Sequence, residues 1–338
     1  SVHKINKAAN IVHKKGDMSS CSNLVTLVIT TQKRKMGHPG AVWDSKISTE
    51  RVKDLNGIDQ IVLRNSQGAS AKVSLLGGQV ISWRNDRGEE LLFASHKANG
   101  KAPKAIRGGI PICFPQFGSC GSLEQHSFAR NKIWSVDDNP PSLPAKDSSG
   151  KSFVDLLLKP SEEDLKCWPH SFELRLRVCL GADGNLTLIS RVRNINAKPF
   201  SFSFAYHSYL SVSDISEVRV EGLETMDYLD NLCQKEQFTE QGDAITFEAE
   251  IERVYIGSPS CVAVLDHERK RTFVLRKEGL PDVVVWNPWE KKSKSMADLG
   301  DDEYRQMVCV DGAVVEKPVT LKPGEEWKGR LEIIVVPS

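Results

Sequence analysis

Two positions in the chain set a reactive side chain on a rigid frame. Residues of an extended strand alternate between its two faces. In Ser201-Phe-Ser-Phe-Ala-Tyr-His-Ser-Tyr-Leu210, Phe202, Phe204 and Tyr206 therefore share one face, and Ser203, Ala205, His207 and Tyr209 share the other. Aromatic rings behind and small residues in front, ending on a histidine, have the form of a site wall. A satisfied core histidine gives the same pattern. In Gln306-Met-Val-Cys-Val-Asp-Gly312, Asp311 follows Met307 and Cys309 on one face. It reads either as a carboxylate projecting from a strand or, as Asp-Gly more often does, as the turn that ends one.

Other segments carry side chains suited to ligands. Arg107 and Arg130 offer planar forks that match pairs of phosphate oxygens, and Gly108-Gly109 would let backbone approach a ligand closely. Val283-Val-Val-Trp-Asn-Pro-Trp289 places Trp286 and Trp289 around a proline, where such rings stack on sugars or plug a core. Lys291, Lys292 and Lys294 read as a solvated loop.

The elements that must position these groups are strands. Short β-branched or aromatic runs recur at residues 60–63, 71–76, 79–83, 153–159, 172–180, 186–194, 200–210, 262–266, 272–277, 282–286, 307–311 and 331–336, broken by Gly, Pro, Asn and Asp. Ala182-Asp183-Gly184-Asn185 is an explicit turn between two of them. No long 3.6-residue period competes, and short helical pieces are expected only near 161–166 and 301–305. Strands without intervening helices predict an all-β fold, a large antiparallel sandwich, in a single domain over residues 41–338. Residues 1–40 hold seven lysines and arginines against one acid, Asp17, and are expected to be a mobile basic leader or upstream sequence ahead of Met36.

Bulk composition excludes several function classes. With 45 basic and 44 acidic residues the net charge is +1, so no global field draws in nucleic acid or an anionic membrane. No apolar stretch approaches the ~20 residues of a spanning helix. The eight cysteines form no CxxC pair and no Cys/His spacing of a zinc site. Several lie inside apolar runs as buried thiols, which predicts a reducing compartment.

Taken together, Arg107-Gly-Gly-Ile-Pro, Gln125-His-Ser-Phe-Ala-Arg130-Asn, Phe204-Ala-Tyr-His207-Ser-Tyr, Val285-Trp-Asn-Pro-Trp289 and Val308-Cys-Val-Asp311 resemble, in this order, the glucose-6-phosphate 1-epimerases of the aldose 1-epimerase superfamily, including the plant apospory-associated protein C-like branch. The resemblance runs from about residue 42 to the C-terminus. It implies a galactose mutarotase-like β-supersandwich with no cofactor or metal, and interconversion of the α and β anomers of a hexose 6-phosphate. His207 falls on the catalytic acid and Asp311 on the catalytic base, where many relatives carry Glu. Arg107, Gln125, His126, Arg130 and Glu252 fall on substrate contacts, with Glu252 in Glu252-Arg-Val-Tyr255 standing where Asp is usual. The two arginines would hold the phosphate. The remaining expectations are a monomer with a small-molecule substrate, and a cytoplasmic or, with a transit leader, plastid location. Two rival readings stay open: an aldose 1-epimerase for unphosphorylated sugars, and a non-catalytic sugar-phosphate binder.

Overall fold

Runs of alternating apolar and polar residues separated by turns bury their apolar faces only by pairing into sheets and stacking those sheets. The computed structural model describes residues 47–98, 106–119, 121–141 and 151–338. The expectations for residues 1–40 and for most of the loop after Pro141 lie outside the described residues. The first four strands are β1 (Ser48–Lys53), β2 (Asp59–Arg64), β3 (Ser70–Ser74) and β4 (Val80–Arg84). Next come β5 (Ile112–Cys113), β6 (Ser135–Val136), β7 (Ser152–Leu158), β8 (Phe172–Leu180), β9 (Leu186–Asn194) and β10 (Phe200–Tyr206). They are followed by β11 (Tyr209–Ser211), β12 (Val218–Glu221), β13 (Asp227–Asp230), β14 (Glu236–Thr239) and β15 (Ile251–Tyr255). The last are β16 (Cys261–Asp266), β17 (Arg271–Glu278), β18 (Asp282–Asn287), β19 (Met307–Leu321) and β20 (Glu326–Pro337).

The first four strands make one sheet in sequence order. A second sheet runs β14-β13-β15-β18-β19-β10-β5, with β11 also on β19, and a third runs β12-β16-β17-β20-β9-β8-β7-β6. The fold is all-β and antiparallel, as expected. The two large sheets close on a core to which β10 contributes Phe202, Phe204 and Tyr206, and β8 and β9 contribute Phe172, Leu174, Leu176, Leu186 and Leu188. Phe204 packs on Trp327 of β20 with ring centroids 5.0 Å apart. The Tyr206 hydroxyl, fully buried, lies 2.8 Å from Ser190 Oγ of β9 and 3.1 Å from the Gly329 carbonyl of β20.

Helices are few among the described residues. α1 (Glu162–Cys167) starts at a capping box between Ser161 and Asp164, as its Ser-Glu-Glu-Asp start predicts. α2 (Trp289–Ser295) carries the three lysines read as a loop, all exposed on a short helix. The helix expected at 301–305 is a 3₁₀ turn over Glu303–Gln306. No helix of the described residues is long and apolar enough to cross a membrane.

One local feature of the second sheet positions the chemistry. On β10, Ala205 faces Ala313 and Tyr206 faces Gly312; on β11, Tyr209 faces Cys309 and Leu210 faces Val308. The register is the same on both sides of the two-residue break, which sets His207 opposite Asp311. At the break the chain turns its hydrogen bonds elsewhere: the His207 N–H donates to Pro111 O at 3.0 Å. β19 runs on through Gly312 to Leu321. Asp311-Gly312 is therefore not the turn its sequence suggests.

Because the Tyr206 hydroxyl ties both large sheets together directly beneath this break, Tyr206→Phe should cost roughly 1–3 kcal/mol by leaving buried polar groups unpaired. Urea unfolding should show a lower midpoint at unchanged slope. An unaltered midpoint would mean that the hydroxyl contributes nothing to holding the sheets.

Candidate active site

Directly opposed residues of an antiparallel pair bring their Cβ atoms to roughly 4.5–5.5 Å, so a histidine and an aspartate in that register meet. His207 Nδ1 lies 2.7 Å from Asp311 Oδ2, and the Ser208 N–H, released from the ladder, donates to Asp311 Oδ1 at 2.7 Å. Asp311 is 0% exposed and His207 5%. Burial pushes the Asp311 carboxyl up, against the opposing pull of His207 and the Ser208 N–H. The resemblance implies a separate acid at His207 and base at Asp311. Instead they form one bonded pair, with the carboxylate closed off from solvent. A carboxylate on one imidazole nitrogen fixes the tautomer and leaves the other nitrogen to exchange protons.

Rings enclose the pair. His207 packs against Tyr209 at 4.6 Å, Trp286 at 5.7 Å and His126 at 5.4 Å between ring centroids. Tyr209 sits opposite Cys309 and Trp286 on β18 is that residue's other neighbour, so the ladder itself aligns them. Trp289, the other tryptophan of the motif, packs instead on Tyr304 and the main core. Arg107 donates to the Tyr209 hydroxyl at 2.9 Å and grips Asp298 through Nε at 3.1 Å and a terminal nitrogen at 3.2 Å. Burial alone would lower the pKa of that guanidinium, but Tyr209 and Asp298 outweigh it and the net shift is upward. Tyr209 itself is pushed up, by burial first and against the charge of Arg107.

The glycines after Arg107 serve its own chain rather than a ligand. Gly109 has φ +61°, and a Cβ there would come within 2.1 Å of Val80 O; at Gly108 it would meet Phe93 O at 2.4 Å. Their bare backbone packs on β4 and the segment at Phe93, which seats Arg107 beside Tyr209.

His126 joins this pair to Phe117. Its ring lies between His207 and Phe117, the latter at 5.0 Å. His126 Nδ1 accepts the Gly118 N–H at 3.1 Å and lies 3.4 Å from Cys113 Sγ, which puts the ring proton on Nε2. Burial, then the charges of His207, Arg130 and Arg107, push the ring down to about 2. It is a neutral donor at any working pH.

Phe117 also lines a cavity of about 260 Å³, together with Gln125, Leu229, Asn231, Glu252 and Val254. Neither His207 nor Asp311 lines it, yet Val254 on its floor packs with Ala205 and Ala313, each two residues from the pair on the same face. The volume is just under the roughly 300–1,000 Å³ of small-ligand clefts. Glu252 accepts from Asn231 Nδ2 at 3.0 Å. Arg130 donates to the Gln125 carbonyl at 2.8 Å, and its Nε is buried without a partner. Of the seven residues singled out in the sequence, Gln125 and Glu252 line this cavity, His207, Asp311 and His126 cluster beside it, Arg107 joins them through Tyr209, and Arg130 is tied to Gln125. Sequence reasoning missed Asp298, which clamps Arg107 from 191 positions away, and Asn231 and Ser208. Asp298 and Asn231 carry no local pattern, and Ser208 acts through its backbone.

A family model for aldose 1-epimerase matches residues 59–333. The chain belongs to the aldose 1-epimerase family. Within the family it is 64% identical over 291 residues to a Cenchrus ciliaris protein carrying the name glucose-6-phosphate 1-epimerase, covering 86% of this chain and 88% of that protein. An Escherichia coli K12 protein of the same name is 32% identical over 263 residues, 77% of this chain and 85% of its own length. Among solved structures, a Salmonella typhimurium protein described as a mutarotase superposes with a TM-score of 0.75 at 27% identity, over 89% of this chain and 97% of its own. The galactose mutarotase-like fold anticipated from the resemblance is the fold of this aldose 1-epimerase family member.

The His126 environment has a consequence for stability. Unfolded, this histidine takes up a proton below about pH 6.5; folded, it stays neutral down to about 2. The unfolded state binds more protons across that window, so stability present above pH 6.5 is lost as pH falls. His126→Asn tolerates the left-handed backbone at this position, φ 60°, and offers Oδ1 where Nδ1 accepts. Its urea midpoint should drop less than that of the wild type between pH 7.5 and pH 5. Parallel losses in the two proteins would contradict a neutral His126.

Proposed function

We propose that this chain interconverts the α and β anomers of a hexose 6-phosphate, with the His207–Asp311 pair as its proton-transfer unit. The observation that carries the proposal is the buried bond between the two side chains, next to His126, whose ring also packs on Phe117 in the lining of the cavity that holds Gln125 and Glu252. In a pyranose the ring oxygen and the anomeric hydroxyl oxygen are bonded to the same carbon, so one nitrogen can serve both. The free nitrogen of His207 takes the proton from the C1 hydroxyl, the bond from C1 to the ring oxygen breaks, and the same nitrogen delivers the proton to that oxygen. Asp311 holds the imidazolium formed between the two transfers. Rotation about C1–C2 and the reverse sequence give the other anomer. Trp286 and Tyr209 shape the wall beside C1, and Glu252 and Gln125 take sugar hydroxyls.

The phosphate belongs to Arg130 more than to Arg107. Asp298 already balances Arg107 and Tyr209 occupies another of its donors, whereas Arg130 keeps an unpaired N–H. The protein acts on its own as a monomer, without a cofactor, in the cytoplasm. The buried thiols of Cys113 and Cys309, neither in a disulfide, suit a reducing compartment.

NMR exchange or polarimetry with purified protein tests this. Anomer exchange of glucose 6-phosphate should accelerate, and His207→Ala and Asp311→Asn should each slow it by ~10²–10⁴-fold. The double variant should be little worse than either single one, because the two act as a unit. Glu252→Gln should cost far less than either; a loss as deep as that of His207→Ala would make Glu252 the base. Arg130→Ala should weaken glucose 6-phosphate by about one to two powers of ten and spare glucose, whereas Arg107→Ala should hurt both through Tyr209. Equal handling of glucose and its phosphate would favour the unphosphorylated-sugar enzyme. Binding without faster exchange would favour the non-catalytic binder.

A further inference from the structure

The proton-transfer pair has a third neighbour that the exchange chemistry does not use. Cys309 and Asp311 are two apart on β19 and therefore project from the same face, while His207 projects from directly across the ladder. Among the described residues, these three form a group whose sulfur, nitrogen and oxygen atoms all lie within 4.8 Å of one another, and all three are buried. Two side chains spaced i, i+2 on one strand and a third from the neighbouring strand converge on a point above the sheet, which is a three-point ligand set. No sequence spacing reveals it, because His207 and the other two are about a hundred positions apart.

We propose that His207, Cys309 and Asp311 form a binding site for a borderline-soft divalent ion such as Zn²⁺, and that occupancy silences the active site. Thiolate, imidazole and carboxylate together favour zinc over magnesium or calcium, which take oxygen ligands. Ligands on tetrahedral zinc, with bonds of about 2.0–2.3 Å, sit roughly 3.3–3.8 Å apart. Starting from atoms within 4.8 Å of one another, the His207–Asp311 pair at 2.7 Å must open by about half an ångström while wider separations close by up to about one, a rotamer-scale adjustment. Three protein ligands leave a fourth position for water or a sugar hydroxyl. Burial holds the Cys309 thiol well above its ordinary pKa, a cost that the ion's own charge offsets, since a coordinating thiol is deprotonated outright. Binding releases the thiol proton to solvent, and the His207 proton moves from Nδ1 to Nε2 as Nδ1 takes the metal. No redox step is involved. With the metal in place, His207 and Asp311 are separated by the ion and no proton can pass through them. Silencing rests on the exchange activity proposed above; binding does not.

The full-length protein should be titrated with zinc chloride by calorimetry, and with cobalt chloride by absorption. Wild type should take up one zinc per chain at this site, insensitive to excess magnesium, and cobalt should give a sulfur-to-metal charge-transfer band. Cys309→Ala should lose the band and bind zinc more weakly by about 10–100-fold or more, with Cys309→Ser as a second variant if the first folds poorly. In exchange assays zinc should stop the wild type, a chelator should restore it, and Cys309→Ala should exchange anomers while ignoring zinc. A wild type without a thiolate band, or a Cys309→Ala protein that binds and is inhibited as before, would overturn the site, the latter pointing to the exposed Cys167 or Cys233. If the protein exchanges no sugar phosphate at all, the band and the calorimetry still decide the metal site on their own.

Discussion

A buried carboxylate survives only beside a partner, and the register between β10, β11 and β19 supplies that partner. Asp311 has no exposure to solvent, and a buried charge left alone would cost several kcal/mol. The ladder resolves this by placing His207 directly across and by leaving two residues out of regular pairing. The same interruption that frees the Ser208 N–H hands it to the other carboxylate oxygen. Both oxygens of Asp311 are thus bonded by groups from one two-residue break. A one-residue slip of β19 would turn Asp311 into the opposite face of the sheet. The core contacts of Phe202, Phe204 and Tyr206 oppose such a slip, because they fix β10 against the facing sheet.

The remaining groups act by surrounding the pair. His126, neutral through burial and nearby positive charge, places a ring against His207 without competing for protons. Trp286 and Tyr209 close the other sides, and Arg107 fixes Tyr209 at its hydroxyl. A low-dielectric wall strengthens the His207–Asp311 bond and keeps bulk water from short-circuiting proton transfer. Gln125 and Glu252 line the cavity beyond the His126 ring, on the side of Phe117.

Much of this was legible in the chain. The strand runs matched β8 and β9, and the run 200–210 spans β10, the two-residue break and most of β11; period-two alternation set Phe202, Phe204 and Tyr206 on one face and His207 on the other. Residues 218–255 were not legible as strands, because β12 to β15 are four or five residues long and dense in charge. Asp311-Gly312 was misleading for the opposite reason. Its local chemistry is that of a turn, yet pairing with β10 and β18 on both sides carries the strand straight through it. The direct bond between His207 and Asp311 required register, and register between strands a hundred residues apart is set by the packed core rather than by any local signal. The clamp of Asp298 on Arg107 and the Cys309 grouping were hidden for the same reason.

The central claim is that His207 Nδ1 is held by Asp311 and its other nitrogen does the chemistry. NMR of the protein labelled with ¹⁵N at the histidine rings reads this directly. At neutral pH, His207 should be the Nδ1–H tautomer with a strongly deshielded, slowly exchanging ring proton. That proton should vanish in Asp311→Asn, while the signals of His126 stay in place as the Nε2–H form. A His207 ring carrying its proton on Nε2 in the wild type, or a ring proton indifferent to Asp311→Asn, would contradict the account.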